Sequence, residues 1–240
     1  MSNSSPDLSR RDFFKVSAAA IATVGVANFL KPSYATEVNV KTVALSNLPK
    51  DPVEVAKSSE LVQKAWDYLL GEINSLHDLA LREKVFSFYQ NTVPTFMEQH
   101  HGSANVSKVY KMLLQEHLVD PALTDEAHLF PPLKDLNINP QPFFSAPGSG
   151  YGSHHAYPGG LATHTAVNVE ITKSILTTYS HIMDYEYGYD MAVAGQLLHD
   201  LAKPWVFQWN KDGSCLKEYS IAGTGAHHIF SLAEAIYRGM

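Results

Sequence analysis

Beyond residue 50, apolar positions recur mostly at three- and four-residue intervals, the spacing of a single buried helix face. Leu61, Ala65, Tyr68 and Leu69 mark one face, and Leu81, Val85, Phe88 and Tyr89 a second, so residues 52–101 read as helices. Pro94 interrupts the second pattern. The pair His100-His101 before Gly102 suits a helix C-terminus, with glycine in the left-handed position beyond it. A short helix is predicted over 106–118, followed by a proline-rich stretch, 121–147, that should wrap the surface without regular structure. The helical pattern resumes over 161–179 through Val167, Ile171, Ile175 and Leu176. An acidic, tyrosine-rich turn at 184–190 leads to a buried helix carrying Val193, Ala194, Leu197, Leu198 and Leu201, which Pro204 closes. Residues 205–209 and 215–219 flank Asn210-Lys211-Asp212-Gly213 as a short hairpin, and a last helix starts near Thr224. The expected class is all-α, a helical bundle with an N-terminal helical extension.

The first 35 residues follow a different rule. Ser9-Arg10-Arg11-Asp12-Phe13-Phe14-Lys15 precedes an apolar run over 16–30 and then Ser33-Tyr34-Ala35, the pattern of a twin-arginine export signal cleaved after Ala35. The run falls short of the roughly 20 residues that a membrane-spanning helix needs, so no anchor is expected after cleavage. The translocase would be a transient partner, and the mature chain would reside in a bacterial periplasm or outside the cell. The chain therefore divides into a signal (1–35), a linker with N-terminal helices (36–142) and a C-terminal domain (143–240).

Composition narrows the chemistry. The 240 residues carry a formal charge of −6, which provides no general attraction for nucleic acid or anionic lipid. One cysteine, Cys215, rules out an intramolecular disulfide and a zinc site built on several thiolates. Twelve histidines remain as candidate neutral ligands.

The chain contains two His-Asp pairs, His77-Asp78 and His199-Asp200. A bare pair is ordinarily a core histidine beside a surface acid, and His77-Asp78, without histidines at useful spacing, reads as solvent-facing helix. His199-Asp200 has company. His164 lies in the first turn of the 161–179 helix, after His154-His155 and Pro158-Gly159-Gly160, and His227-His228 opens the last helix. A divalent ion asks for convergent imidazole and carboxylate donors, and packed helices can supply them from distant positions. His164, His199, Asp200 and His228 provide three nitrogens and a carboxylate that can bind one ion or bridge two.

These residues resemble the HD superfamily of metal-dependent phosphohydrolases. Phe143-Phe144, then Ala146-Pro147, His154-His155-Ala156-Tyr157-Pro158-Gly159-Gly160-Leu161 and His164-Thr165 are similar to the branch that includes bacterial HD-domain 3′-to-5′ exoribonucleases. The resemblance covers residues 143–240. It implies an all-helical HD domain holding one or two divalent ions (Mn, Mg, Fe or Zn) through His164, His199, Asp200 and His228, with His227 ranked behind His228. It further implies a small phosphorylated or nucleotide substrate, met by Lys203, His155 and His154, with Asp200 and Lys203 as catalytic groups. The branch's pattern continues past Met240 to a final aspartate ligand, and its N-terminal nucleic-acid-binding barrel has no counterpart here, so no strong nucleic-acid-binding signal is present. Two other readings stay open: a di-iron oxygenase on the same fold, and a non-catalytic metal- or ligand-binding protein.

Overall fold

Short polar side chains set where the helices begin. In the computed structural model Asp51 accepts the N–H groups of Val53 and Glu54 at 2.8 and 3.1 Å, and Pro52 opens helix α1 (Pro52–Ser58). Ser59 caps α2 (Glu60–Ser75), and Asp78 caps α3 (Leu79–Gln90). Helices α4 (Ala104–Gln115), α5 (Glu126–Leu129), α6 (Gly160–Met183), α7 (Tyr189–Leu198), α8 (Lys203–Val206) and α9 (Ala226–Tyr237) follow. The extended structure among the described residues is minor: antiparallel β1 (Ser220–Ile221) and β2 (Thr224–Gly225), with Ser220 opposite Gly225, and a bridge between Trp209 and Cys215. The fold class is all-α. The structure describes residues 43–97, 104–131, 139–150, 152–210, 214–215, 218, 220–221 and 224–240. The export signal, His100-His101-Gly102 and most of the Asn210–Gly213 loop lie outside them.

Within the compact unit Leu48–Met240, two apolar clusters form. One joins α2, α3, α6 and α7 through Leu69, Ile73, Val85, Leu161, Val193 and Leu197. The other joins α4 and α9 through Val109, Leu113 and Phe230, with Phe96 and Phe130 between them. Each fully buried large side chain contributes roughly 1.5–3 kcal/mol relative to exposure. The segment from Leu198 to Trp205 serves both: Leu198 and Leu201 pack in the first cluster, Ala202 and Trp205 in the second. Asp200 therefore sits at the seam.

Several expectations need correction. Helix α7 ends at Leu198 and does not run through His199-Asp200; Leu201 N–H bonds back to Leu198 and Lys203 N–H to Asp200, two tight turns in place of a helix. Pro204 consequently opens α8 and closes nothing, because its missing N–H belongs to a group that helical bonding would leave unused. On α2 the buried face is Val62, Ala65, Leu69 and Ile73, while Leu61 is 62% exposed. Helix α6 carries two apolar rows on opposite sides: Leu161, Ala162 and Val169 are buried, but Val167, Ile171 and Ile175 are about half exposed. Sequence spacing finds both rows and cannot say which meets the core. The proline-rich stretch does more than wrap the surface. It contains α5 and a 3-10 turn at Phe143–Ser145, and Phe130, Phe143 and Ala146 are buried, so its large apolar residues outweigh its prolines. Finally, His77-Asp78 is a helix junction, with Asp78 as the cap of α3.

Candidate metal centre

Three segments aim histidine at Asp200. The loop before α6 turns on Gly159, whose φ of +85° is left-handed and whose missing Cβ leaves room for Val62. Gly160 lies against the His155 carbonyl, where a Cβ would overlap it. That close approach sets the start of α6 and puts His164 in its second turn. The double turn after Leu198 swings Asp200 inward to 2% exposure, and Ser231 of α9 accepts the Ala202 N–H at 3.1 Å, tying the turn to the last helix. His227 and His228 lie in the first turn of α9.

The resulting distances are short. Asp200 Oδ2 stands 3.1 Å from His164 Nε2, 2.9 Å from His199 Nε2 and 2.7 Å from Lys203 Nζ. Asp200 Oδ1 is 3.2 Å from His227 Nε2. Oδ2 is fully buried, yet none of its near nitrogens meets it along a hydrogen-bond direction, so it has no donor. Lys203 is itself buried, and its ammonium also donates to the Gly148 carbonyl at 2.5 Å. Asn168 lies between the two imidazoles, its amide nitrogen 3.1 Å from His164 Nε2 and 3.5 Å from His199 Nε2.

The placement of protons decides what such a cluster can hold. His199 Nδ1 lies 2.6 Å from the Gln196 carbonyl, which can only accept, so Nδ1 carries a proton and, in the neutral ring, Nε2 presents its lone pair on the Asp200 side. His227 repeats the arrangement: Nδ1 donates to Glu218, whose carboxylate also accepts the His227 N–H at 2.7 Å. Lone pairs from separate segments thus converge on carboxylate oxygens. They need protons or a cation between them. Ligands on adjacent corners around a small divalent ion, with bonds of about 2.0–2.2 Å, stand roughly 3 Å apart. The nitrogens around Asp200 have that spacing, so the residues fit a divalent metal. Among the described residues two groups contain Asp200, His164/His199/Asp200 and Asp200/His227/His228, with donor atoms within 4.8 Å of one another in each.

Electrostatics favour an ionised centre. When no ion is present these rings can carry the protons instead: burial opposes ionisation of Asp200, but hydrogen bonds from the imidazoles of His164, His199 and His227 outweigh it and hold the carboxyl well below the usual range. Burial likewise opposes charge on His227, and Asp200 and Glu218 reverse the balance, so its pKa is raised. His228 and His155 shift downward, in both cases through burial first and then neighbouring positive groups.

The structure brings together most of the residues singled out from sequence. His164, His199 and Asp200 form one group, and His228 joins Asp200 and His227 in the next. His227 is the buried member of that pair and has its Nε2 beside Asp200, whereas His228 is exposed. His154 and His155 gather around His164. Lys203 faces Asp200 from α8, on a different helix from the one expected. Sequence reasoning missed Asn168, one turn beyond His164, and Glu218, which no spacing links to His227. Glu234, the acid on α9, is occupied elsewhere: it binds Arg238, Thr95 and the Phe96 N–H.

No family profile and no solved structure matches the chain. A curated relative is 34% identical over 61 residues, the dihydroneopterin 2′,3′-cyclic phosphate phosphodiesterase of Methanocaldococcus jannaschii. The match takes in 25% of this chain and spans about a quarter (24%) of the relative's length. The helical frame, the histidine–aspartate cluster and this partial likeness fit a metal-dependent phosphohydrolase.

Proposed function

We propose that this chain is an exported metal-dependent phosphohydrolase of HD type that cleaves a phosphoester in a small, nucleotide-like substrate. The observation that carries the reading is the buried Asp200 carboxylate, met within 3.2 Å by imidazoles from three separate segments. The partial likeness to a cyclic phosphate phosphodiesterase supports the substrate class. One or two divalent ions (Mn, Mg, Fe or Zn), held by His164, His199, Asp200 and His228 with His227, would activate water and offset phosphoryl charge.

The chain's own residues have separate tasks. Asp200, kept ionised by its neighbours, orients the attacking water and accepts its hydrogen bond as oxygen approaches phosphorus. Lys203 holds Asp200 in place and adds positive charge beneath the phosphoryl group, where charge develops as the ester bond breaks. His154 and His155, gathered around His164, would meet the substrate from the loop side. Among the described residues no helix is long and apolar enough to cross a membrane. The export assignment rests on the N-terminal motif, and the mass of the mature chain tests it: a start at Thr36 is expected, and an intact N-terminus in the cytoplasmic fraction overturns it.

Hydrolysis of bis-p-nitrophenyl phosphate tests the reaction. Turnover with added Mn²⁺ that chelation abolishes and His199→Ala removes is the expected result. Failure with every ion overturns it in favour of a binding protein, and iron-dependent oxygen uptake without ester cleavage overturns it in favour of an oxygenase.

A further inference from the structure

The loop before α6 assembles a second set of donors that contains no carboxylate. The rings of His154, His155 and His164 stand at the corners of a nearly equilateral triangle, each pair of centroids 5.2 Å apart. One nitrogen from each ring lies within 4.8 Å of the other two. The Nδ1 atoms of His154 and His155 approach to 3.0 Å. Two ring nitrogens at that distance share one proton or face one cation, because two N–H groups would collide and two lone pairs would repel.

The backbone is built to hold this pair over His164. His155 adopts a left-handed φ of +56°, uncommon for a residue with a side chain and found where surrounding structure enforces it. The enforcement is visible: the His155 carbonyl accepts the Gly148 N–H at 2.8 Å, and both Gly148 and Gly160 lack the Cβ that would push His155 away. Lys203 in turn donates to the Gly148 carbonyl, so the loop is fastened to the residue that also faces Asp200.

We propose that His154, His155 and His164 form a further cation position at the loop side of the centre, overlapping the His164/His199/Asp200 group at His164, whose two ring nitrogens would serve one position each. An all-imidazole set suits Zn²⁺, Fe²⁺ or Co²⁺ and discriminates against Mg²⁺, which demands oxygen ligands. The loop's contribution to the centre is then a bound ion held by imidazole nitrogens alone. The inference concerns ion binding and goes beyond the reaction proposed above.

Equilibrium dialysis of the full chain against Co²⁺, with metal counted per chain, tests it. The His154→Gln/His155→Gln variant should bind one Co²⁺ fewer than the unaltered chain. Asp200→Asn should keep one Co²⁺ that is lost when the loop changes are added, and excess Mg²⁺ should not displace that ion. His154→Gln alone, which leaves the left-handed residue intact, guards against a folding defect and should weaken Co²⁺ binding at this position at least tenfold. Equal stoichiometry in the unaltered chain and the folded double variant overturns the inference while leaving the Asp200 centre standing. No Co²⁺ on any of the proteins overturns both.

Discussion

The chain contains the tetrapeptide His-Asp-Leu-Ala twice, at His77–Ala80 and at His199–Ala202, and folding makes different objects of the two copies. At the first, the residues that follow begin a helix, and Asp78 Oδ1 accepts the Ala80 and Leu81 N–H groups at 2.9 and 3.1 Å. Those bonds occupy its lone pairs. His77 is mostly exposed and meets Asp190, 3.0 Å from its Nδ1. At the second, a helix has just ended, the following backbone closes tight turns on itself, and Asp200 receives no such N–H. Its oxygens are left for side chains from α6, α8 and α9. A carboxylate is available as a ligand where the local backbone makes no use of it.

The comparison can be broken at four places. Replacing Asp200 has the largest expected effect: Asp200→Asn should lower divalent-metal affinity at the Asp200 positions by more than about 100-fold, beyond what loss of an outer partner costs, and abolish phosphoester turnover. Metal titration of Asp78→Asn should be indistinguishable from the unaltered chain. Glu218 comes next. It holds His227 in the tautomer that turns Nε2 to Asp200, so Glu218→Ala should weaken metal binding roughly 10- to 100-fold, with Glu218→Gln recovering part of the loss; identical titrations would deny Glu218 this positioning role.

Stability effects are smaller and belong to the first copy. Asp78→Ala removes a helix cap and should cost about 1 kcal/mol in denaturant unfolding, with metal content unchanged. The smallest effect depends on pH. Asp190 accepts the Asp78 N–H, which lowers its pKa below the ordinary 3.8, helped by the His77 ring and N–H. A carboxyl with a depressed folded pKa stabilises fully above its unfolded value and loses that contribution as pH falls through the folded one. Asp190→Ala should therefore lower Tm at pH 6, and the difference should shrink below pH 4; a constant difference down to pH 3 would refute this.

Much of the centre was legible because its ligands are histidines in an acidic chain with a single cysteine, and because Pro158-Gly159-Gly160 announces a tight approach before α6. The order of His227 and His228 was not legible. Adjacent helix positions differ by about 100° in direction, and only the packing of α9 decides which of the two faces inward. Glu218 was invisible for a related reason, since a partner reached through a loop leaves no period in the sequence. The two apolar rows of α6 make the same point for the fold: spacing predicted the helix, and contact with α2 and α7 selected the buried side.

What the sequence determined by itself is the helical class and the residue types able to bind a cation, because these depend on neighbours within one or two turns. Tertiary structure alone decided that α7 stops at Leu198, that Asp200 falls in the seam between two apolar clusters, and that nitrogens from positions 164, 199 and 227 close on it. Convergence of that kind is a property of distances across the bundle, and no local pattern encodes a distance between residues sixty positions apart.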